Sequence, residues 1–263
     1  MTTFMAAEIA ETGQALRRQL DANREATQRL AAELRAGDPD FVVTIARGSS
    51  DHAALFLKHV VELKLGLACA SLGPSIASLY QAPLRLFNAV AITISQSGRS
   101  PDIVAMQRAA KQAGATAIAL VNEEDSPAAA DADALLPLCA GLERSVAATK
   151  SMIASLVAGA ALVAAWKEDA DFYAALERLP AVLDAPPPTA PSDLEEALAG
   201  ANSLYVIGRG PTFAVAMEAA LKLKETSGIH AEAFSSAEVL HGPAGVVTAG
   251  FPALGFAPAP ADA

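Results

Sequence analysis

Short apolar runs closed by small polar residues alternate with longer amphipathic stretches through most of this chain. Residues 3–36 repeat apolar positions at helical spacing, with Leu16, Leu20, Leu30 and Leu34 between charges, which predicts a helix. Residues 41–46 form an apolar run ending in Arg47-Gly48-Ser49-Ser50, followed by a helix-like stretch over 52–63. Residues 89–94 end in Ser95-Gln96-Ser97-Gly98, with a helix predicted from about 101 to 113. Residues 116–121 and 134–138 are further strand candidates. This rhythm predicts an α/β fold with a parallel sheet and right-handed crossovers. Such sheets bind ligands at the carboxyl ends of their strands, where these polar loops lie.

The rhythm breaks at residues 184–193, whose three consecutive prolines resist both helix and sheet and predict a linker. It restarts with a strand over 203–208 ending in Arg209-Gly210, a helix from about 211 to 226, and, after Val246-Val247, a strand-like segment at 252–256. A shift of 162 positions lays Arg47-Gly48 over Arg209-Gly210, which suggests an internal repeat of two α/β units. The expected organisation is an N-terminal helical segment (1–36), a first unit (37–183), a linker (184–193) and a second unit (194–263). The second unit is expected to be incomplete at its C-terminal end, because so few strands cannot make a doubly wound sheet.

Composition narrows the picture. Aromatics make up only 5% of the residues against 52% hydrophobic overall, which suits helices packed on a buried sheet better than a β-sandwich. A formal charge of −10 leaves no basic stripe for nucleic acid, so an anionic ligand must be held by local donors. Cys69 and Cys139 lack CxxC or metal-ligand spacing and read as reduced core thiols. The N-terminus lacks the apolar core of a signal peptide. The run over 151–166 is short for a membrane span and reads as a buried helix. A soluble cytoplasmic protein is expected, with neither a nucleic-acid nor a membrane partner.

Three segments carry candidate chemistry. Ser95, Gln96, Ser97 and Ser100, with Ser49-Ser50 on the same predicted rim, offer hydroxyls and helix-start N–H groups to an oxyanion. Ordinary helix capping would use the same residues. Glu218, Lys222 and Glu225 fall at i, i+4, i+7 on one helix face, either as a solvated ion-pair stripe or as acid–base groups. His230, Glu232, Glu238 and His241 are expected to crowd a loop beyond that helix; their spacing fits no HExxH-like metal pattern. Glu143 to Lys150 opens the long apolar helix and reads by itself as an N-terminal cap.

Taken in order, MAAEIAETGQAL, ARGSSDHA, ISQSGRSPD, ERSVAATKS, YVIGRGP and EAALKLKETSGIHAEAFSSAEVLHGP resemble the SIS (sugar isomerase) domain family. Within it the chain is similar to the isomerase half of glucosamine-6-phosphate synthases and to stand-alone glucosamine-6-phosphate deaminases. The resemblance implies two tandem units, each a five-stranded parallel sheet flanked by helices. It implies sugar-phosphate contacts at Ser50, Ser95, Gln96, Ser97 and Ser100, and substrate contacts at Val146 and Ala148. By the same match Glu225 moves a proton between C1 and C2, Lys222 assists near the reacting oxygens, and His241 opens the sugar ring. In that family the histidine comes from a neighbouring subunit, so a homodimer with a shared active site is implied. No cofactor and no metal is implied.

Three departures shape the expectation. There is no N-terminal Met-Cys and no glutaminase part, which points to free ammonia and favours the deaminase-type relatives. Arg99 stands where the family has an acidic residue, and Ala148 where it has serine. The family's C-terminal segment, with a lysine for the open-chain sugar, has no counterpart here. The expected function is interconversion of glucosamine 6-phosphate and fructose 6-phosphate. The alternatives are action on another sugar phosphate, deglycation of a fructosamine phosphate, or a non-catalytic sugar-phosphate-binding regulator.

Overall fold

Continuous apolar runs become central strands because a parallel sheet is covered by helices on both faces. In the computed structural model, which describes residues 3–185, 194, 196 and 198–257, the chain divides into two compact units, Met1–Ala185 and Pro186–Ala263. The expected linker at 184–193 lies, apart from its first two residues, outside the described residues.

The first unit holds a wholly parallel sheet of β1 (Phe41–Ile45), β2 (Ala68–Ser71), β3 (Ala89–Ser95), β4 (Thr116–Val121) and β5 (Ala134–Leu135), in the order β2-β1-β3-β4-β5. Strand alternation sorts its side chains into two cores. Val42, Val90, Ile92, Ile94, Ile118 and Leu120 face one cluster, which takes in the apolar faces of α2 (Thr12–Gly37), α3 (Ser49–Leu65), α7 (Lys150–Lys167) and α8 (Ala170–Leu183). Val43, Ile45, Ala89 and Ala91 face the other, against Ile103, Met106 and Ala110 of α5 (Pro101–Gln112). Each large aliphatic side chain buried in this way contributes about 1.5–3 kcal/mol.

Helix α7 is the one helix among the described residues long and apolar enough to cross a membrane; 83% of it is buried inside the fold. Gly159 sits where α7 meets α3: a Cβ there would lie 3.0 Å from Leu57 Cδ1. Burial pushes the Cys69 thiol up to about 12. Cys139, expected in the core, is only half-buried, on a turn with φ of 51°.

Several elements differ from expectation. The N-terminal segment is two helices, α1 (Phe4–Ala10) and α2, broken at Glu11, whose amide is shared between Ala7 O and Glu8 O at 3.2 Å each. Strand β2 is an edge strand with one buried residue in four, and its Ala68-Cys69-Ala70-Ser71 holds no β-branched or aromatic residue to announce it. The fourth expected strand pairs only over Ala134–Leu135. Leu138 N still bonds Val121 O at 2.9 Å, so the chain continues along the sheet to its carboxyl edge.

The second unit holds β6 (Ser203–Gly208), α9 (Pro211–Ser227), β7 (His230–Ser235) and β8 (Ala253–Gly255), in a parallel sheet ordered β7-β6-β8. Three strands are present among the described residues where a full unit would have five. Pro243–Val246 forms a 3-10 turn, as its Pro and Gly content favours. Strand register recurs across the units. Phe41 opposes Ala68 and Val43 opposes Ala91 in the first, while Ser203 opposes His230 and Tyr205 opposes Ala253 in the second.

Candidate active site

The first unit gathers its polar loops along one edge of the sheet. Ile45 is level with Thr93, and Ser95 with Val121, so the turns that follow β1, β3 and β4 leave from the same rim. The β1–α3 turn passes through Gly48, whose φ of 58° and ψ of −134° are open to glycine and strained for other residues. Helix α3 then begins at Ser49 with Ser50 in its first turn. Asp51 follows, and burial pushes its carboxyl up against the opposing charges of His52 and Arg47. The Arg47 guanidinium forms an ion pair with Asp102 in the first turn of α5, tying two rim turns together.

The β3–α5 turn is braced from several sides. Ser95 Oγ accepts from Gly98 N at 3.0 Å, and Ser97 Oγ accepts from Arg99 N at 3.3 Å. Gln96 O accepts from Asn122 N at 3.1 Å, and Gly98 O from Ala128 N at 3.1 Å. Gly98 has φ of 59°, and a Cβ on it would lie 2.2 Å from Ser126 Oγ. The exposed Arg99 guanidinium reaches Asp125 at 2.8 Å. Ser100 occupies the N-cap of α5 without a side-chain cap bond, and α3 is capped by Gly48 rather than by a serine. Helix capping, the bland use of these hydroxyls, is therefore not how Ser50 or Ser100 is spent.

The segment before α7 leaves from the same edge: Asn122 Oδ1 accepts from Ala140 N at 2.8 Å and its Nδ2 donates to Gly141 O at 2.9 Å. Glu143 accepts from Thr149 N (3.0 Å), Thr149 Oγ1 (2.8 Å), Ser151 N (3.2 Å) and Ser151 Oγ, so it caps α7 from within its own loop. Glu8 of α1, almost wholly buried, accepts from the amides of Arg144 and Ser145 and from the Ser145 hydroxyl. Burial alone would raise its pKa, but these hydrogen bonds, helped by Lys150, hold the carboxyl below the usual glutamate range. Val146 and Ala148 lie on this loop; Val146 is exposed and Ala147 is buried. Glu8 carries no local sequence signal, since its partners lie some 137 residues away.

In the second unit, α9 brings Glu218, Lys222 and Glu225 onto one face. Lys222 Nζ lies 3.2 Å from Glu218 Oε1 and 2.7 Å from Glu225 Oε2, with all three side chains mostly shielded from solvent. A lysine amine held between two carboxylates fixes the orientation of the Glu225 carboxylate. His241 is exposed on the 3-10 turn Val239–His241, its amide donating to Glu238 O at 2.8 Å. His230 and Glu232, expected in a loop with it, lie instead on β7 and point outward, because pairing with β6 extends that segment and buries the alternate Ala231. His230 Nδ1 is 3.4 Å from Ser203 Oγ across the strand pair. Among the described residues no group of three or more His, Cys, Asp or Glu side chains is arranged to hold a metal ion.

A family profile described as the SIS domain matches residues 38–165 and 197–262. The glutamine–fructose-6-phosphate aminotransferase (isomerizing) of Symbiobacterium thermophilum is 35% identical over 274 residues, covering 95% of this chain and 44% of that protein. The chain thus spans less than half the length of that relative. A crystal structure from Silicibacter pomeroyi DSS-3, provisionally assigned as a phosphosugar isomerase, superposes with a TM-score of 0.94 at 50% identity, covering 98% of this chain and 79% of that one. The C-terminal domain of glucosamine-fructose-6-phosphate aminotransferase from Francisella tularensis superposes with a TM-score of 0.86 at 26% identity, covering 99% and 77%.

Proposed function

Because the chain belongs to the SIS domain family, we propose that it is a sugar-phosphate isomerase acting on an amino sugar, converting glucosamine 6-phosphate and water to fructose 6-phosphate and ammonia. The observation that carries this reading is the turn over 95–100. Its serines stand at the carboxyl edge of a parallel sheet, and Ser100, at the N-cap of α5, makes no side-chain cap bond. Helix-start amides and hydroxyls there suit a phosphate dianion in a protein whose overall charge would repel one.

In this mechanism Ser50, Ser95, Gln96, Ser97 and Ser100 hold the phosphate, and Val146 and Ala148 meet the sugar. His241 assists opening of the pyranose ring. Glu225 removes the C2 proton of the open-chain aldehyde and returns it to C1, passing through an enolamine, while Lys222 stabilises the negative charge that develops on the C1 oxygen. The product imine at C2 adds water and expels ammonia, which leaves the ketose. No external oxidant or reductant is needed, since C1 is reduced as C2 is oxidised.

The exposure of His241 on its short turn supports a further part of the proposal, a homodimer in which His241 of the partner subunit completes the site. A cytoplasmic setting accords with the reaction's soluble phosphorylated substrate. A purely regulatory role would need only the phosphate turns. The shielded Glu225–Lys222 pair at 2.7 Å favours catalysis over that reading.

The test is incubation with glucosamine 6-phosphate, following ammonia and fructose 6-phosphate together. Both should appear in equal amounts, and Glu225→Gln should lower turnover by about 10²–10⁴ while sugar-phosphate binding persists. Absence of both products, or unchanged turnover in the variant, would refute the assignment.

A further inference from the structure

The segment 143–151 is anchored by three carboxylates and leaves one apolar side chain bare. Glu8 takes the amide of Ser145 at 3.2 Å and that of Arg144, and the Ser145 hydroxyl lies 2.5 Å from Glu8 Oε2 and 2.7 Å from Ala147 O. Glu11, at the break between α1 and α2, pairs with the buried Lys150 at 2.5 Å. Glu143 ties the loop to its own far end through Thr149 and Ser151. Arg144 also lies over the Phe4 ring, 5.8 Å from its centroid. Between these anchors Val146 is 97% exposed. A valine so exposed on a turn so firmly bonded is displayed rather than packed, as a preorganised contact would be.

We infer that Glu8 is a positioning residue for sugar recognition: it touches no substrate, and it fixes Arg144 and Ser145 so that Val146–Ala148 meets the sugar already ordered. This rests on the function proposed above and deepens it. The same anchoring gives α1 a role, because a seven-residue helix is too short to be stable alone and is retained here by its bonds to the loop. Without the Glu8 carboxylate two amides and a hydroxyl lose their acceptor, the loop samples other conformations, and each binding event must order it again. The phosphate turns over 95–100 have their own braces and should not respond.

The experiment uses the full chain as native protein, Glu8→Ala, Glu8→Gln and Ser145→Ala. It measures KM and kcat for glucosamine 6-phosphate, affinity for inorganic phosphate, and amide exchange by mass spectrometry. Glu8→Ala should raise KM about tenfold or more, speed exchange over 144–149, and leave both phosphate affinity and exchange over 95–100 unchanged. Glu8→Gln, which keeps one acceptor oxygen, should fall between, and Ser145→Ala should move KM the same way by less. A KM at the native level despite faster exchange, or a parallel loss of phosphate affinity, would overturn the inference. Native protein without turnover would instead remove the functional reading on which it rests.

Discussion

Gly48 and Gly210, each at the turn between a strand and a helix, hold one backbone conformation: φ and ψ of 58° and −134° in the first, 56° and −134° in the second. Nothing lies within 4 Å of a Cβ built on either, so space does not select glycine at these turns. The conformation does, because a side chain with this φ and ψ is strained. Each glycine lets the chain reverse from a strand end into a helix whose first amides face the rim. Gly48→Ala and Gly210→Ala should each cost about 1–3 kcal/mol of stability. Urea unfolding measures this, and a loss under about 0.5 kcal/mol, the range of ordinary surface changes, would count against it.

Ser100→Ala separates capping from ligand binding. An N-cap serine usually contributes about 1 kcal/mol to its helix. Here the side chain makes no cap bond, so stability should stay within about 0.5 kcal/mol of native. A hydrogen bond to a charged phosphate is worth about 1.5–3 kcal/mol, so KM for the sugar phosphate should rise roughly 10- to 100-fold. Steady-state kinetics and thermal unfolding on one preparation decide between the two outcomes.

Gly98→Ala should disturb the whole turn, where Ser100→Ala removes a single hydroxyl. The new methyl would sit 2.2 Å from Ser126 Oγ and carry a positive φ, so the 95–100 turn must move. Phosphate affinity should fall at least tenfold by calorimetry, with the sheet intact by circular dichroism.

Lys222→Met keeps the length and apolar stem of the side chain and removes its charge between Glu218 and Glu225. Loss of one preorganised stabiliser of developing charge typically costs about 10²–10³ in kcat. The expected signature is a fall in kcat with KM little changed.

Glu8 gives the protein an acid-sensitive hold. Its folded carboxyl titrates below the unfolded one, so its contribution is fully present above the ordinary glutamate value and is lost as pH falls through the lower folded value. Glu8→Gln should therefore be less stable than native at neutral pH, and the gap should close on acidification below about pH 4. Parallel unfolding curves from pH 3 to 7 would show this; a gap that widens toward acid would contradict it.

What could be read from the chain follows from where each element sits. β1, β3 and β4 are covered on both faces, so their apolar runs stand out, and Ser95 to Ser100 is visible because small polar residues close such a run. β2 and β7 lie at sheet edges among the described residues with one buried residue each, so no continuous buried run marks them, and the sequence reading places His230 and Glu232 in a loop. The α1–α2 break at Glu11 has only Gly13, two residues on, to mark it. The hold of Glu8 on Ser145 joins residues far apart in the chain, and no local pattern encodes it.

The Gly159–Leu57 contact has its own consequence. α3 starts at the Ser50 turn and α7 starts directly behind Val146 and Ala148, so the two loops proposed to hold the sugar are joined through a close contact deep in the core. Under the proposed function, evolution can retune the grip on a sugar there without altering any group that touches it. A bulkier residue at 159 would demand a smaller one at 57, and homologous chains should show those two positions drifting as a pair.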